Sequence, residues 1–208
     1  MTCISNYVMS PAFNQRVLWK KFKKGNRQAF EAIYHEYYAS LYFYALKMTA
    51  NRSLAQECVQ DLFVTLWKTR KGLADISSIK PYLFKSLNRL VARSAPSFYG
   101  GPFSTKPKID IAFSPEDLLI EQQDDLHKRE TLTTVLNSLP ARQKEVIYLK
   151  YYEELSYAEI AETLHINYQS VINLMYKAFK RLRLKTALKR LIDDYNTFPF
   201  LILSAELL

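Results

Sequence analysis

The side chains best placed for chemistry in this chain are amides, hydroxyls and cations at helical spacing. From Tyr168 to Lys177, the residues Tyr168, Gln169, Ser170, Asn173, Tyr176 and Lys177 recur so that a helix sets them on or near one side. Side chains of that kind hydrogen-bond to base edges. The run that follows, Lys177, Lys180, Arg181, Arg183, Lys185, Lys189 and Arg190, suits phosphates. Two short helices and a turn carrying such a face fit a DNA major groove, and they fit equally an ordinary helical hairpin with a solvated basic face. Periodicity leaves these two readings level.

Other chemistries find no constellation. No nucleophile–base motif, phosphate-binding glycine loop or paired-carboxylate motif occurs, so no catalytic residue is assigned and no enzyme is expected. Cys3 and Cys58 lie far apart, and His35, His127 and His165 have no ligand spacing. No metal, no cofactor and no disulfide framework is therefore expected, and a reducing cytoplasm fits. The N-terminus lacks a basic-then-apolar leader, and the apolar stretch at residues 198–208 is about half of what a bilayer span needs. The expectation is a chain that does not span a membrane and acts on no small-molecule substrate.

The elements that must position these residues are helices. The 208 residues are 49% apolar, enough for folded cores, and carry a formal charge of +9. Residues 1–95 hold 15 Lys and Arg against 5 Asp and Glu, residues 96–129 hold 4 against 6, and residues 130–208 hold 10 against 9. A basic balance of this size is the footprint of a polyanion partner or of a lysine-rich surface alone. Pro96, Pro102, Pro107 and Pro115 with Gly100 and Gly101 mark a flexible linker. The division is an N-terminal extension (1–25), a helical domain (26–95), the linker (96–129), a second helical domain (130–190) and an apolar tail (191–208).

In the first domain Phe30, Ile33, Tyr37, Leu41, Ala45 and Met48 line one face of a helix of about five turns. Ser53 and Gln56 read as a capping box for a second helix through Trp67. A third starts at Ser77 or Ser78, takes Pro81 in its first turn, and buries Leu83, Leu87 and Val91. Beyond the linker, Ser138-Leu139-Pro140 opens a helix through Tyr152. Ser156 and Glu159 form a capping box for a short helix to Leu164, and Asn167 caps a longer one to about Lys185.

Those motifs carry a family resemblance. Leu139-Pro140-Ala141-Arg142-Gln143-Lys144-Glu145-Val146, then Leu155-Ser156-Tyr157-Ala158-Glu159-Ile160-Ala161-Glu162, resembles region four of extracytoplasmic-function (ECF) sigma factors. Phe30-Glu31-Ala32-Ile33-Tyr34, then Ala55-Gln56-Glu57-Cys58-Val59-Gln60-Asp61-Leu62-Phe63 and Leu66-Trp67, resembles their region two. The tyrosine-rich style and apolar tail resemble the branch found in Bacteroidetes.

The resemblance implies an all-α fold of two small helical domains and a non-enzymatic initiation factor. Its partners would be core RNA polymerase, promoter DNA and an anti-sigma factor. Glu57, Gln60 and Asp61 match the polymerase-docking surface. Tyr82, Lys85, Asn88 and Arg89 match the segment that captures the melted minus-ten strand, with Tyr82 equally readable as core. Arg142, Ser156 and Tyr157 match phosphate contacts at the rim of the minus-thirty-five element, which Gln169, Ser170, Asn173 and Lys177 would read, with Lys180 and Arg181 continuing along the phosphates. The chain departs from the family pattern at Ala92, His165, Ile172 and Leu174. Two other readings stay open: an activator whose helix-turn-helix resembles region four, whose first domain senses a ligand and which binds its operator alone, and, from Ala92, Ile172 and Leu174, a degenerate sigma homologue that acts only as an interaction protein. The tail at 198–208 could pack on this chain's own domains, dock on a partner or lie on a membrane surface, the last disfavoured because the segment has no lysine or arginine; the expectation is that it packs across one domain and tethers the two.

Overall fold

The computed structural model describes residues 11–94, 111–114 and 126–184, with side chains from 15 and from 130 in the outer segments. The tail, Cys3, Lys185, Lys189 and Arg190 lie outside the described residues. The chain divides into two compact units, residues 1–98 and 99–208. All described elements are helices, as expected, and none is long and apolar enough to cross a membrane.

The first unit contains α1 (Pro11–Lys23), α2 (Arg27–Thr49), α3 (Arg52–Thr69), a single 3₁₀ turn (Arg70–Gly72) and α4 (Ile79–Ser94). α2, α3 and α4 pack on one another, and α1 packs on α2. The chain reverses between α2 and α3 within two residues. Ala50 takes the left-handed conformation (φ 50°), and its N–H bonds the Leu46 carbonyl. Asn51 then accepts from the Leu54 N–H. Asn51 is thus the cap of α3, and the capping box expected at Ser53 and Gln56 does not form. The reason is register: a cap is the non-helical residue just before the first turn, a place Asn51 holds with extended backbone, whereas Ser53 is already the second residue of the helix.

The core of this unit is Ile33, Leu41, Tyr44, Leu62, Leu83, Phe84 and Leu87, all at most 3% exposed. α1 adds Trp19 and Phe22, both fully enclosed, where no helix was read from sequence. Phe22 meets Phe30 and Trp67, and Phe30 meets Phe63, so one aromatic cluster ties α1 to α2 and α3. Trp19 and Phe22 sit three apart between lysines, too sparse a pattern to announce a helix.

The second unit contains residues 111–114, which belong to no helix or strand, and α5 (Leu126–Asn137), α6 (Ala141–Tyr151), α7 (Tyr157–Leu164) and α8 (Tyr168–Arg183). α6, α7 and α8 pack mutually. Within the stretch read as linker, Ile111 and Phe113 are buried. Asn137 clamps this segment by accepting from the Phe113 N–H and donating to the Phe113 carbonyl. α5, also unread from sequence, buries Leu132, Val135 and Leu136.

Candidate nucleic-acid interface

The helix-turn-helix forms as its motifs require. Ser156 accepts from the Glu159 N–H, and the Glu159 carboxylate accepts from the Ser156 N–H in return. α7 ends at His165, left-handed at φ 54°, a conformation that favours glycine. Two residues later Asn167 accepts from the Ser170 N–H and starts α8.

α8 divides cleanly by side. Val171, Met175, Ala178, Phe179 and Leu182 are buried at the three-and-four spacing of a packed face. The opposite side exposes Gln169, Asn173, Tyr176, Lys177, Lys180 and Arg181. Gln169 and Asn173 are hydrogen-bonded to one another (3.3 Å), so the two amides form a unit in the first turns, and the cations follow in the later ones. Ile172 and Leu174 are half-buried at the two edges of this stripe, as a turn of 100° per residue dictates. Ser170 is half-buried beside the cap.

Three side chains expected at the rim prove to have local duties. Arg142 forms an ion pair with Glu145 (2.7 Å), a carboxylate with no exposure. The Ser156 hydroxyl accepts from the Glu159 N–H and donates to its carboxylate (2.8 Å). The Tyr157 ring lies edge-on to Tyr168 and under the Lys150 ammonium at 5.2 Å. Burial, then Tyr168, pushes the Tyr157 hydroxyl above the usual tyrosine range. Lys150 sits beside the candidate surface without belonging to any sequence motif, and only the fold brings it to Tyr157.

In the first unit Arg89 is exposed on α4, while Tyr82 and Lys85 are half-buried. Tyr82 touches Trp19 edge-on (5.3 Å), so the ring is partly core and partly open. Asn88 turns inward and donates to the hydroxyl of the buried Tyr44 (3.1 Å). On α3, Glu57, Gln60 and Asp61 are all exposed. Val64, 48% exposed, occupies the same face one turn on, an apolar centre that sequence reading passed over. Cys58 is buried and free, and burial pushes its thiol up. Among the described residues no three His, Cys, Asp or Glu side chains converge as for a metal.

The model of sigma-70 region 2 matches residues 33–95, and that of sigma-70 region 4 matches residues 129–182, together more than half of the chain. The chain belongs to the ECF-type sigma-70 family. Among its relatives, the ECF RNA polymerase sigma factor SigM of Bacillus subtilis (strain 168) is 28% identical over 169 residues, covering 79% of this chain and 98% of SigM. The ECF RNA polymerase sigma factor SigK of Mycolicibacterium vanbaalenii is 24% identical over 176 residues, covering 80% and 86%. In fold, this ECF-type chain is similar to CnrH, whose structure was solved in complex with the cytosolic domain of CnrY. There the TM-score is 0.55 at 18% identity, over 86% of this chain and 97% of CnrH.

Proposed function

We propose that this chain is a cytoplasmic sigma factor that docks on core RNA polymerase and directs it to promoters. The observation that carries the reading is the order along α8: an amide pair first, then cations, all on the exposed side of a capped helix-turn-helix. Amides read base edges and cations hold phosphates, which is the division of labour that a duplex-reading helix needs. α3 would supply the polymerase contact through Glu57, Gln60 and Asp61, with Val64 as an apolar anchor. α4 would hold the melted strand through Tyr82, Lys85 and Arg89, with Asn88 fixing that helix against Tyr44. Arg142, Ser156 and Tyr157 would meet the flanking phosphates only with groups their local bonds leave over.

The family relationship and the CnrH complex support control by a protein partner, here an anti-sigma factor. A chain with 15 tyrosines supports placement in the Bacteroidetes-like branch. Run-off transcription with core polymerase and a genomic promoter library tests the function. Promoter-specific transcripts that need both chain and polymerase are expected. Operator binding by the chain alone, without polymerase, would instead make it an activator.

A further inference from the structure

Besides the Phe22 cluster, one stripe of side chains holds α1 to its unit. Gln15 accepts from the Ile79 N–H (3.1 Å), Trp19 donates from Nε1 to the Ala74 carbonyl (3.0 Å), and Lys23 pairs with Asp75 (2.8 Å). These residues recur every four positions, so one helix face staples α1 to the segment leading into α4. The neighbouring stripe, Arg16 and Lys20, takes no part in this. Both are exposed, and among the described residues neither has an ion-pair partner. Beside them lies an open cavity of about 290 Å³, walled by Arg16, Trp19, Lys20, Asp75, Ile76 and Ser77.

Charge decides what the cavity can hold. Its one acid, Asp75, is bonded by Lys23 and lies in the field of Lys20 as well, which leaves Arg16, Lys20 and the exposed Ser77 hydroxyl along the cavity with positive charge in excess. That set favours an anion with several acceptor oxygens and disfavours a cation or a purely apolar ligand. Position narrows the choice. Trp19 meets the Tyr82 ring at 5.3 Å, and Tyr82 is the first residue of the α4 face that continues through Lys85 and Arg89. We propose that Arg16, Lys20 and Ser77 form a phosphate site that grips one phosphodiester of the single strand running along α4. It rests on the reading of α4 as a strand-binding surface, and it assigns to α1 a contact that no motif announces.

The test is fluorescence anisotropy of a short labelled single-stranded oligonucleotide titrated with the full-length chain at several salt concentrations. Arg16→Ala with Lys20→Ala should weaken binding about fivefold at low salt and lower the salt slope by about 0.7, one phosphate on a single strand. Arg16→Lys alone should keep most of the affinity, because the charge stays. The double variant should melt like the wild type, since neither side chain is buried or paired. Lys85→Ala with Arg89→Ala serves as the control on α4. If only the control loses affinity, the α4 reading stands and the phosphate site is overturned. If neither variant changes affinity, or the wild type does not bind the strand, both are overturned. Should inorganic phosphate protect the cavity while the strand is indifferent to Arg16 and Lys20, the site serves a free phosphoryl ligand and the strand assignment is wrong. No polymerase enters this measurement, so its outcome is separate from the initiation reading, which transcription decides.

Discussion

The Arg142 guanidinium lies 2.7 Å from Oε2 of Glu145, one turn further along α6 and fully enclosed. A buried carboxylate that loses a cationic partner keeps its desolvation cost, so this pair is structural before it is anything else. Replacing Arg142 with alanine should cost the second unit about 1.5 to 3 kcal/mol, the range for a hydrogen bond to a charged group. Urea denaturation measures it. A variant with the wild-type midpoint would show that the pair contributes nothing.

Gln60 and Asp61 are exposed and off the buried stripe of α3, so Gln60→Ala with Asp61→Ala should leave thermal melting unchanged. Core polymerase affinity should fall on the order of tenfold, about 1.4 kcal/mol, if both sit at a docking surface. Surface plasmon resonance against core polymerase decides, and an unaltered dissociation constant would remove these residues from the interface. Val64→Asp should act in the same direction by charging the apolar centre.

On α8 the two classes of side chain should separate experimentally. Asn173→Ala should change which promoter bases are preferred, by about 1 to 3 kcal/mol at one position. Lys177→Ala should weaken all duplexes alike and reduce the salt slope by about 0.9. Holoenzyme binding to a randomised minus-thirty-five library at two salt concentrations reads both. A changed base preference with an unchanged slope for Lys177→Ala would make that lysine a base reader.

Alkaline pH offers a different handle. Burial, helped by Glu36, pushes the Tyr37 hydroxyl up to about 12, and burial with Tyr157 does the same for Tyr151. An unfolded tyrosine ionises near 10, so the unfolded chain releases these protons first as pH rises. The stability these groups contribute is therefore intact below about pH 10 and lost progressively toward 12. Chemical denaturation across that window should show the decline, and Tyr37→Phe with Tyr151→Phe should flatten it. Equal slopes in variant and wild type would refute the assignment.

Helices with a broad apolar stripe or a capping signature were legible in the sequence: α2, α3, α4, α6, α7 and α8 all appear where spacing places them. α1 and α5 were not, because each buries only a few side chains. Trp19 and Phe22 are flanked by lysines, and Leu132, Val135 and Leu136 are interleaved with threonines and Asn137. At the candidate site, exposure of Gln60, Asp61, Asn173 and Lys177 followed from helical phase alone. The inward turn of Asn88, the engagement of Arg142 and the convergence of Lys150 on Tyr157 depend on which helices meet. Such tertiary pairings leave no mark on local spacing.

From Gln143 to Leu149 every residue of α6 is buried, charged ones included. An amide in that turn can meet deuterated solvent only after its neighbours have left, so its exchange should proceed through opening of the whole unit. The opening free energies given by the logarithms of the protection factors at Val146 to Leu149 would then equal the unfolding free energy of the second unit. The outward amides of the α8 termini, by contrast, should exchange through fraying. The enclosed helix of the candidate DNA-reading unit thus doubles as its internal gauge of stability.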